Sequence, residues 1–192
     1  GSMTALPIIE TRAGDVSAYS PTNVSSITDG QIYLEKDLCF SGQRPAVNVG
    51  LSVSRVGGSA QTKAVKKSAG TLRIDLARFR ELEVFTQFSS DLDKETRQAL
   101  DHGKRLMEIL KQPLYNPMPV WKQAVILYVA TSGLLSDVDL EKINPFVQGF
   151  CEGLEAGHAD LIQEIQSTGT LPGAAAEQLR TALEEYKKQV NG

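Results

Sequence analysis

The sequence predicts a small sheet fragment followed by an α-helical bundle, α+β in its opening part and mostly α overall. Three observations carry this. Leu51, Val53 and Arg55 alternate with Ser52, Ser54 and Val56, the period-2 pattern of a strand. Asp29-Gly30, flanked by Ile27 on one side and Ile32 and Leu34 on the other, is the strongest short hairpin signal in the chain. From Ser59 onward the apolar residues recur at helical spacing, enough for about five to seven helices of ordinary length. The change of period at Gly57 to Ser59 divides a sheet piece, residues 4–58, from a helical domain, residues 59–192. Gly1-Ser2-Met3 reads as the remnant of a cleaved tag, so an engineered piece of a longer protein is expected.

Taken in order, Thr4 to Glu10 is an apolar run that fits a buried strand with Pro7 near its start. Arg12 to Asp15 forms a polar turn around Gly14, and Val16 to Val24 a helical turn or loop broken by Pro21. Lys36 to Ala46 is loop. Val65, Leu72, Leu76, Phe79, Leu82 and Phe85 mark a helix reaching about Phe88, with Gly70 weakening or splitting it at a cost of about 1 kcal/mol against alanine. Asp91 caps a second helix to about Lys111, with Leu100, Leu106, Ile109 and Leu110 inward. Pro113, Pro117 and Pro119 stiffen the next loop, and Pro119 suits the first turn of a helix over Val120 to Ala130, closed by Gly133. One or two helices follow from Asp139 to about Ser167, with a break near Gly153 or Gly157. A last amphipathic helix, Pro172 to Val190, carries Leu179, Leu183, Tyr186 and Val190 on one stripe.

Composition narrows the function classes. Apolar residues make up 41% of the 192 and allow a real core. A net charge of −3 gives no general attraction to nucleic acid or to an anionic membrane. No apolar run approaches the roughly 20 residues of a spanning helix, so membrane association is expected only through partners. Cys39 and Cys151 stand far apart and form no disulfide framework, which fits a reduced, intracellular setting. His102 and His158 lack ligand partners on a shared helix face and read as solvated, and no metal site is expected. No Ser-His-Asp order, GxSxG or CxxC occurs. The Asp91/Asp93 and Glu184/Glu185 pairs read as helix starts and solvated faces, as does the basic trio Lys63, Lys66 and Lys67.

Arg55 is the leading candidate site residue. It stands at the carboxyl end of a strand, just before Gly57-Gly58, and ligands of α/β sheets bind at that edge. A planar, always-charged fork suits phosphate oxygens there. The same spacing also fits a surface arginine that merely ends an edge strand.

GLSVSRVGGSAQ, with PTNV, SITDGQIYLE and RPAVNVG before it, resembles the α subunit of the F-type rotary ATP synthase. The likeness runs from about Thr4 to about Val190 and covers only the C-terminal part of such a subunit. It implies the last strands of a P-loop nucleotide-binding domain and a C-terminal helical domain. The upstream β-barrel and the GxxxxGK[ST] phosphate loop have no counterpart in the sequence. In that family Arg55 would be an arginine finger, inserted in trans into a catalytic site borne mainly by the β subunit. Ser26 and Gly30 would line the same interface, although Asp29-Gly30 equally fits plain hairpin chemistry with positive φ. Arg44, Pro45 and Gln112 match the adenine pocket of a non-catalytic nucleotide site, but Leu114 stands where a second glutamine is usual.

The resemblance implies ATP or ADP with Mg in the full complex and none in this piece alone, which would have no ATPase activity. It implies β and γ subunits as partners, with the helices forming part of a collar around the rotary shaft during proton-driven ATP synthesis. The complex would lie peripherally on the cytoplasmic face of the bacterial plasma membrane. A catalytically inert helical scaffold drawn from that subunit is the alternative, and a self-sufficient nucleotide enzyme a weaker third. A cut sheet edge could also pair with a second copy of the chain. Ser20 and Ser25 stand where isoleucine is common in this family, and Cys39 where an aromatic is. Deliberate surface changes in a core strand would explain the two serines. On that account, returning both to isoleucine lowers soluble yield, and unchanged solubility contradicts it.

Overall fold

The structure, a computed structural model, describes residue 1, residues 3–86 and residues 92–191. Phe88 and Asp91, expected to end one helix and cap the next, lie outside the described residues.

The opening part holds less sheet and more helix than its pattern implies. Thr4 to Glu10 forms no strand, and Ile8 in it is 98% exposed. A strand needs a neighbour for its N–H and C=O groups, and among the described residues none lies beside this run. A 3₁₀ turn at Arg12–Gly14 follows, with Gly14 at φ 74° as expected for the turn glycine. Helix α1, Tyr19–Ile27, then runs straight through Pro21. Proline is tolerated there because it falls in the first turn, where backbone N–H groups have no intrahelical acceptor. Ser20 and Ser25 are therefore helix residues, the first exposed and the second half-buried, and neither belongs to a core strand.

The expected hairpin at Asp29-Gly30 is absent. Strand β1, Gly30–Gln31, pairs antiparallel with the distant β2, Val53–Ser54, in the register Gly30 to Ser54 and Gln31 to Val53. Gly30 does not have positive φ. Its lack of a side chain serves another end, since a Cβ there would collide with the Val53 carbonyl oxygen. Lys36 to Ala46, expected as loop, contains α2, Lys36–Phe40. A single bridge, Leu34 to Val47, extends the strand pairing past it.

From Gly57 the chain is helical. Helices α3, Gly57–Ala60, and α4, Lys63–Ser68, precede a break at Ala69 to Thr71 where Gly70 does split the pattern. Helix α5, Leu72–Thr86, returns as α6, Lys94–Ile109, and the cap of α6 is Asp93, whose carboxylate accepts from the Thr96 N–H at 2.6 Å. That bond holds the Asp93 carboxyl below its ordinary range. Helix α7, Val120–Thr131, buries Trp121, Ala124, Val125, Ile126, Val129 and Ala130. Apolar on most of its circumference, it sits inside the bundle. Helices α8, Ile143–Gly157, and α9, Ala159–Thr168, meet at His158, one residue past the expected glycine break. Helix α10, Gly173–Asn191, closes the bundle with Leu179 and Leu183 inward, while Val190 at the end of the stripe is exposed. Every buried apolar side chain among the described residues lies between Ala64 and Leu183. The core belongs to the helical part, with Leu135 and Leu171 reaching it from the connecting turns.

Polar anchors hold what the apolar core does not. Arg105 on α6 donates from Nε to the Leu135 carbonyl at 2.9 Å and from Nη2 to the Ser136 and Val138 carbonyls, both at 3.0 Å. Lys187 on α10 reaches the same loop, donating to the Leu134 carbonyl and to Asp137 Oδ1, each at 2.7 Å. Burial works to raise the Asp137 carboxyl, but the hydrogen bond and charge of Lys187 outweigh it and the carboxyl stays low. A depressed carboxyl stabilises the fold above its ordinary pKa near 3.8 and stops doing so as the pH falls through its lower native value. Burial also pushes the Cys151 thiol up to about 11.

Gly103 on α6 faces Phe79 on α5, and a Cβ there would enter the Phe79 ring. Alanine normally gains about 1 kcal/mol over glycine in a helix, yet Gly103→Ala should lower stability by about 1–3 kcal/mol in urea unfolding, because overpacking dominates. In the native chain an alkylating reagent at pH 8 should label Cys39 and spare Cys151, with both labelled after unfolding.

Candidate functional site

Arg55 follows β2 directly and precedes α3 by one residue, so the strand-end placement read from the sequence is what the chain adopts. Its backbone N–H donates to the Asp29 carbonyl at 2.8 Å, continuing the β1–β2 ladder by one bond. The side chain is exposed and makes no ion pair among the described residues. The strand pairing thus fixes the backbone of Arg55 and leaves its guanidinium uncommitted. Gly30 is brought to the same place, paired with Ser54 beside Arg55. Ser26 is not drawn in by any bond. It is exposed on α1, and its hydroxyl donates back to the Asn23 carbonyl at 2.7 Å.

Arg44, Pro45 and Gln112 do converge. The Gln112 N–H donates to the Arg44 carbonyl at 2.9 Å, joining the end of α6 to the segment before β2. The Gln112 amide donates to the Asn116 carbonyl at 2.9 Å and shapes the following loop. That loop holds Leu114 and Tyr115 in solvent, 84% and 96% exposed, with Tyr115 at φ 60°. Few residues other than glycine adopt that backbone region. Arg44 and Pro45 are exposed too, so this corner presents polar and apolar groups together.

The sequence reading missed the residues that hold this arrangement in place. Asn48 is 6% exposed. Its Oδ1 accepts from the Gly50 N–H at 2.9 Å, the Leu51 N–H at 3.1 Å and Arg80 Nη1 at 2.7 Å, while its Nδ2 donates to Glu35 Oε1 at 2.7 Å. Arg73 Nη2 donates to the Gly50 carbonyl at 2.8 Å. The available signal was Asn48-Val49-Gly50, where an asparagine side chain can bond backbone two residues on. Arg73 and Arg80 gave none, being two charges among many on an amphipathic helix. Of the histidines, His102 is only partly solvated, its Nε2 lying 4.0 Å from Asp75 Oδ2 on α5.

Comparison with known proteins agrees with both halves of the chain. Residues 61–186 match the family model described as ATP synthase alpha/beta chain, C terminal domain. The chain belongs to the ATP synthase alpha/beta family. Residues 1–54 match a second model, ATP synthase alpha/beta family, nucleotide-binding domain. Arg55 therefore falls in the join between the two matches, where the strand passes into helix. Proteins named ATP synthase subunit alpha from two strains of Clostridium kluyveri are each 56% identical over 188 residues, 98% of this chain. The chain spans 37% of the length of these curated relatives.

Gly30→Ala tests the backbone geometry of this family member at its site. The added Cβ meets the Val53 carbonyl, and backbone cannot yield as a flexible side chain would. The Arg55 amide should lose hydrogen-exchange protection in the variant while amides of α7 and α8 keep theirs.

Proposed function

We propose that this chain, as part of an ATP synthase alpha subunit, supplies Arg55 in trans to a nucleotide held mainly by a neighbouring β subunit. One observation carries the reading: an exposed guanidinium with no ion pair among the described residues, on a backbone fixed by the strand ladder at the carboxyl end of β2. Transfer of a phosphoryl group spreads negative charge over its equatorial oxygens, and an arginine supplied from a neighbour stabilises that charge by about 10³ to 10⁵ in rate. At about 1.4 kcal/mol per tenfold, this is about 4–7 kcal/mol of transition-state stabilisation. Arginine can deliver it because its planar fork offers two parallel N–H bonds to two oxygens.

The remaining roles form one assembly. Ser26 and Gly30 line the interface on which Arg55 acts. Arg44, Pro45 and Gln112 border the adenine of a second, non-catalytic nucleotide, and their convergence through the Gln112–Arg44 bond supports that placement. The phosphate cradle for ATP or ADP with Mg comes from residues outside this sequence. The helical bundle packs beside β subunits and around the γ shaft of a proton-driven complex. That complex sits on the cytoplasmic face of the membrane, and among the described residues no helix is long and apolar enough to cross a membrane.

In the complete complex, Arg55→Ala should lower the kcat of ATP hydrolysis by about 10³-fold or more with subunit assembly intact. Arg55→Lys should recover little, since an ammonium cannot form the two-pronged contact. Wild-type turnover in the assembled Arg55→Ala complex would overturn the assignment. The chain by itself should hydrolyse no ATP and bind nucleotide weakly in titration, and should bind more tightly once the β subunit is added.

A further inference from the structure

We propose that Arg80, acting through Asn48, is a positioning residue that ties the direction of Arg55 to the helical bundle. The inference rests on the reading of Arg55 as a group that acts on a neighbour's nucleotide. It starts from one contact between the two parts of the chain. Arg80 lies half-buried on α5, and its Nη1 donates to the buried Asn48 Oδ1 at 2.7 Å, a charge-assisted bond. Asn48 in turn builds the turn from which β2 rises. Its side chain holds the Gly50 and Leu51 N–H groups, and its carbonyl accepts from the Ser52 N–H at 3.0 Å and the Ser52 hydroxyl at 2.6 Å. The Asn48 N–H donates to the Tyr33 carbonyl at 2.8 Å, and the Tyr33 N–H to the Ser52 hydroxyl at 3.1 Å. Asn48 and Ser52 therefore tie the turn before β2 to Tyr33, two residues past β1.

Arg55 stands three residues beyond Ser52, a lever of about 10 Å at about 3.3 Å per strand residue. A small shift at the root of β2 is carried to the guanidinium. The strand pair contributes no buried apolar side chain that could resist such a shift, and Val49 beside Asn48 packs on the helical core only half-buried. Arg80 and Arg73 are the side chains that grip the turn from α5, Arg80 through the Asn48 amide and Arg73 through the Gly50 carbonyl. Of the two, Arg80 bonds to the group that orders the turn, and Arg73 bonds to a single carbonyl on its outside. Misplacing a catalytic group by about 1 Å costs on the order of 100-fold in rate, so a loosened root shows in kcat before it shows in binding.

The test is a double-mutant cycle in the complete complex, read as kcat and KM for ATP hydrolysis. Arg80→Ala should lower kcat by about 10- to 100-fold with KM nearly unchanged, and Arg80→Lys should recover part of the loss. If Arg80 works through Arg55, the double variant Arg55→Ala/Arg80→Ala should be no slower than Arg55→Ala alone. Arg78→Ala, on the same helix and exposed, should match wild type. Wild-type kcat in assembled Arg80→Ala complex would overturn the proposal. So would a double variant slower by the product of the single effects, since Arg80 would then act independently of Arg55. If Arg80→Ala fails to assemble, Arg80→Met, which keeps most of the apolar stem and has no donor, is read the same way. Failure of both to assemble assigns Arg80 to folding alone and also overturns the role. Full turnover with Arg55→Ala sinks the finger reading itself, whereas a loss with Arg55→Ala and none with Arg80→Ala sinks only the positioning role.

Discussion

One buried amide oxygen, Asn48 Oδ1, stands where the two parts of this chain meet. It accepts two backbone N–H groups of its own turn and one guanidinium N–H from α5. Leaving such a group without partners in the interior would cost about 1–3 kcal/mol. Satisfying it forces the turn and the helix into a fixed relation. The strand pair contributes no apolar core of its own, so this polar contact, the Arg73 bond and the Gln112–Arg44 bond do what burial does elsewhere in the chain. The position of β2, and of the arginine that ends it, follows from directional bonds.

The helical part has a different kind of stability. Leu106, Leu135, Ile143, Leu154, Leu179 and Leu183 are almost wholly withdrawn from water, and truncating any such side chain to alanine costs about 2–5 kcal/mol. Helix α7 runs through the middle of this core, and α8 and α10 meet beside it, with the Tyr186 ring 5.1 Å from that of Phe146. A bundle so built stands firm while the strand piece ahead of it is held by few bonds. This division leaves Arg55 exposed ahead of a firm helical base. It also explains why an inert scaffold is a coherent second reading of the helical part, since the buried apolar side chains of its core all lie at or beyond Ala64 and Val49 packs on them only half-buried.

Legibility in the sequence followed the physics of each element. Helices α5 to α10 were readable because a 3.6-residue apolar period, a proline before α7 and glycines near the breaks all act locally. The hairpin at Asp29-Gly30 misled because that dipeptide reports backbone freedom, and here it is the missing Cβ that lets Gly30 approach Val53 across a long-range pair. Thr4 to Glu10 has a strand's composition, but pairing depends on a partner that composition does not supply. Pro21 was over-read as a breaker, since its effect depends on its place in the helix. At the candidate site, the placement of Arg55 between a strand and a glycine pair was legible. Arg73 and Arg80 were not, because each bonds to residues far apart in the chain, and Arg44 and Gln112 were grouped through the family resemblance and not through any local pattern.

The central claim concerns a direction in space, and a structure of the assembled complex with a non-hydrolysable nucleotide at the interface measures it directly. The account requires guanidinium nitrogens of Arg55 at about 2.7–2.9 Å from oxygens of the neighbour's terminal phosphate, the span of a charge-assisted hydrogen bond. A guanidinium turned to solvent, or paired with a carboxylate of its own chain while that phosphate is bound, would contradict it.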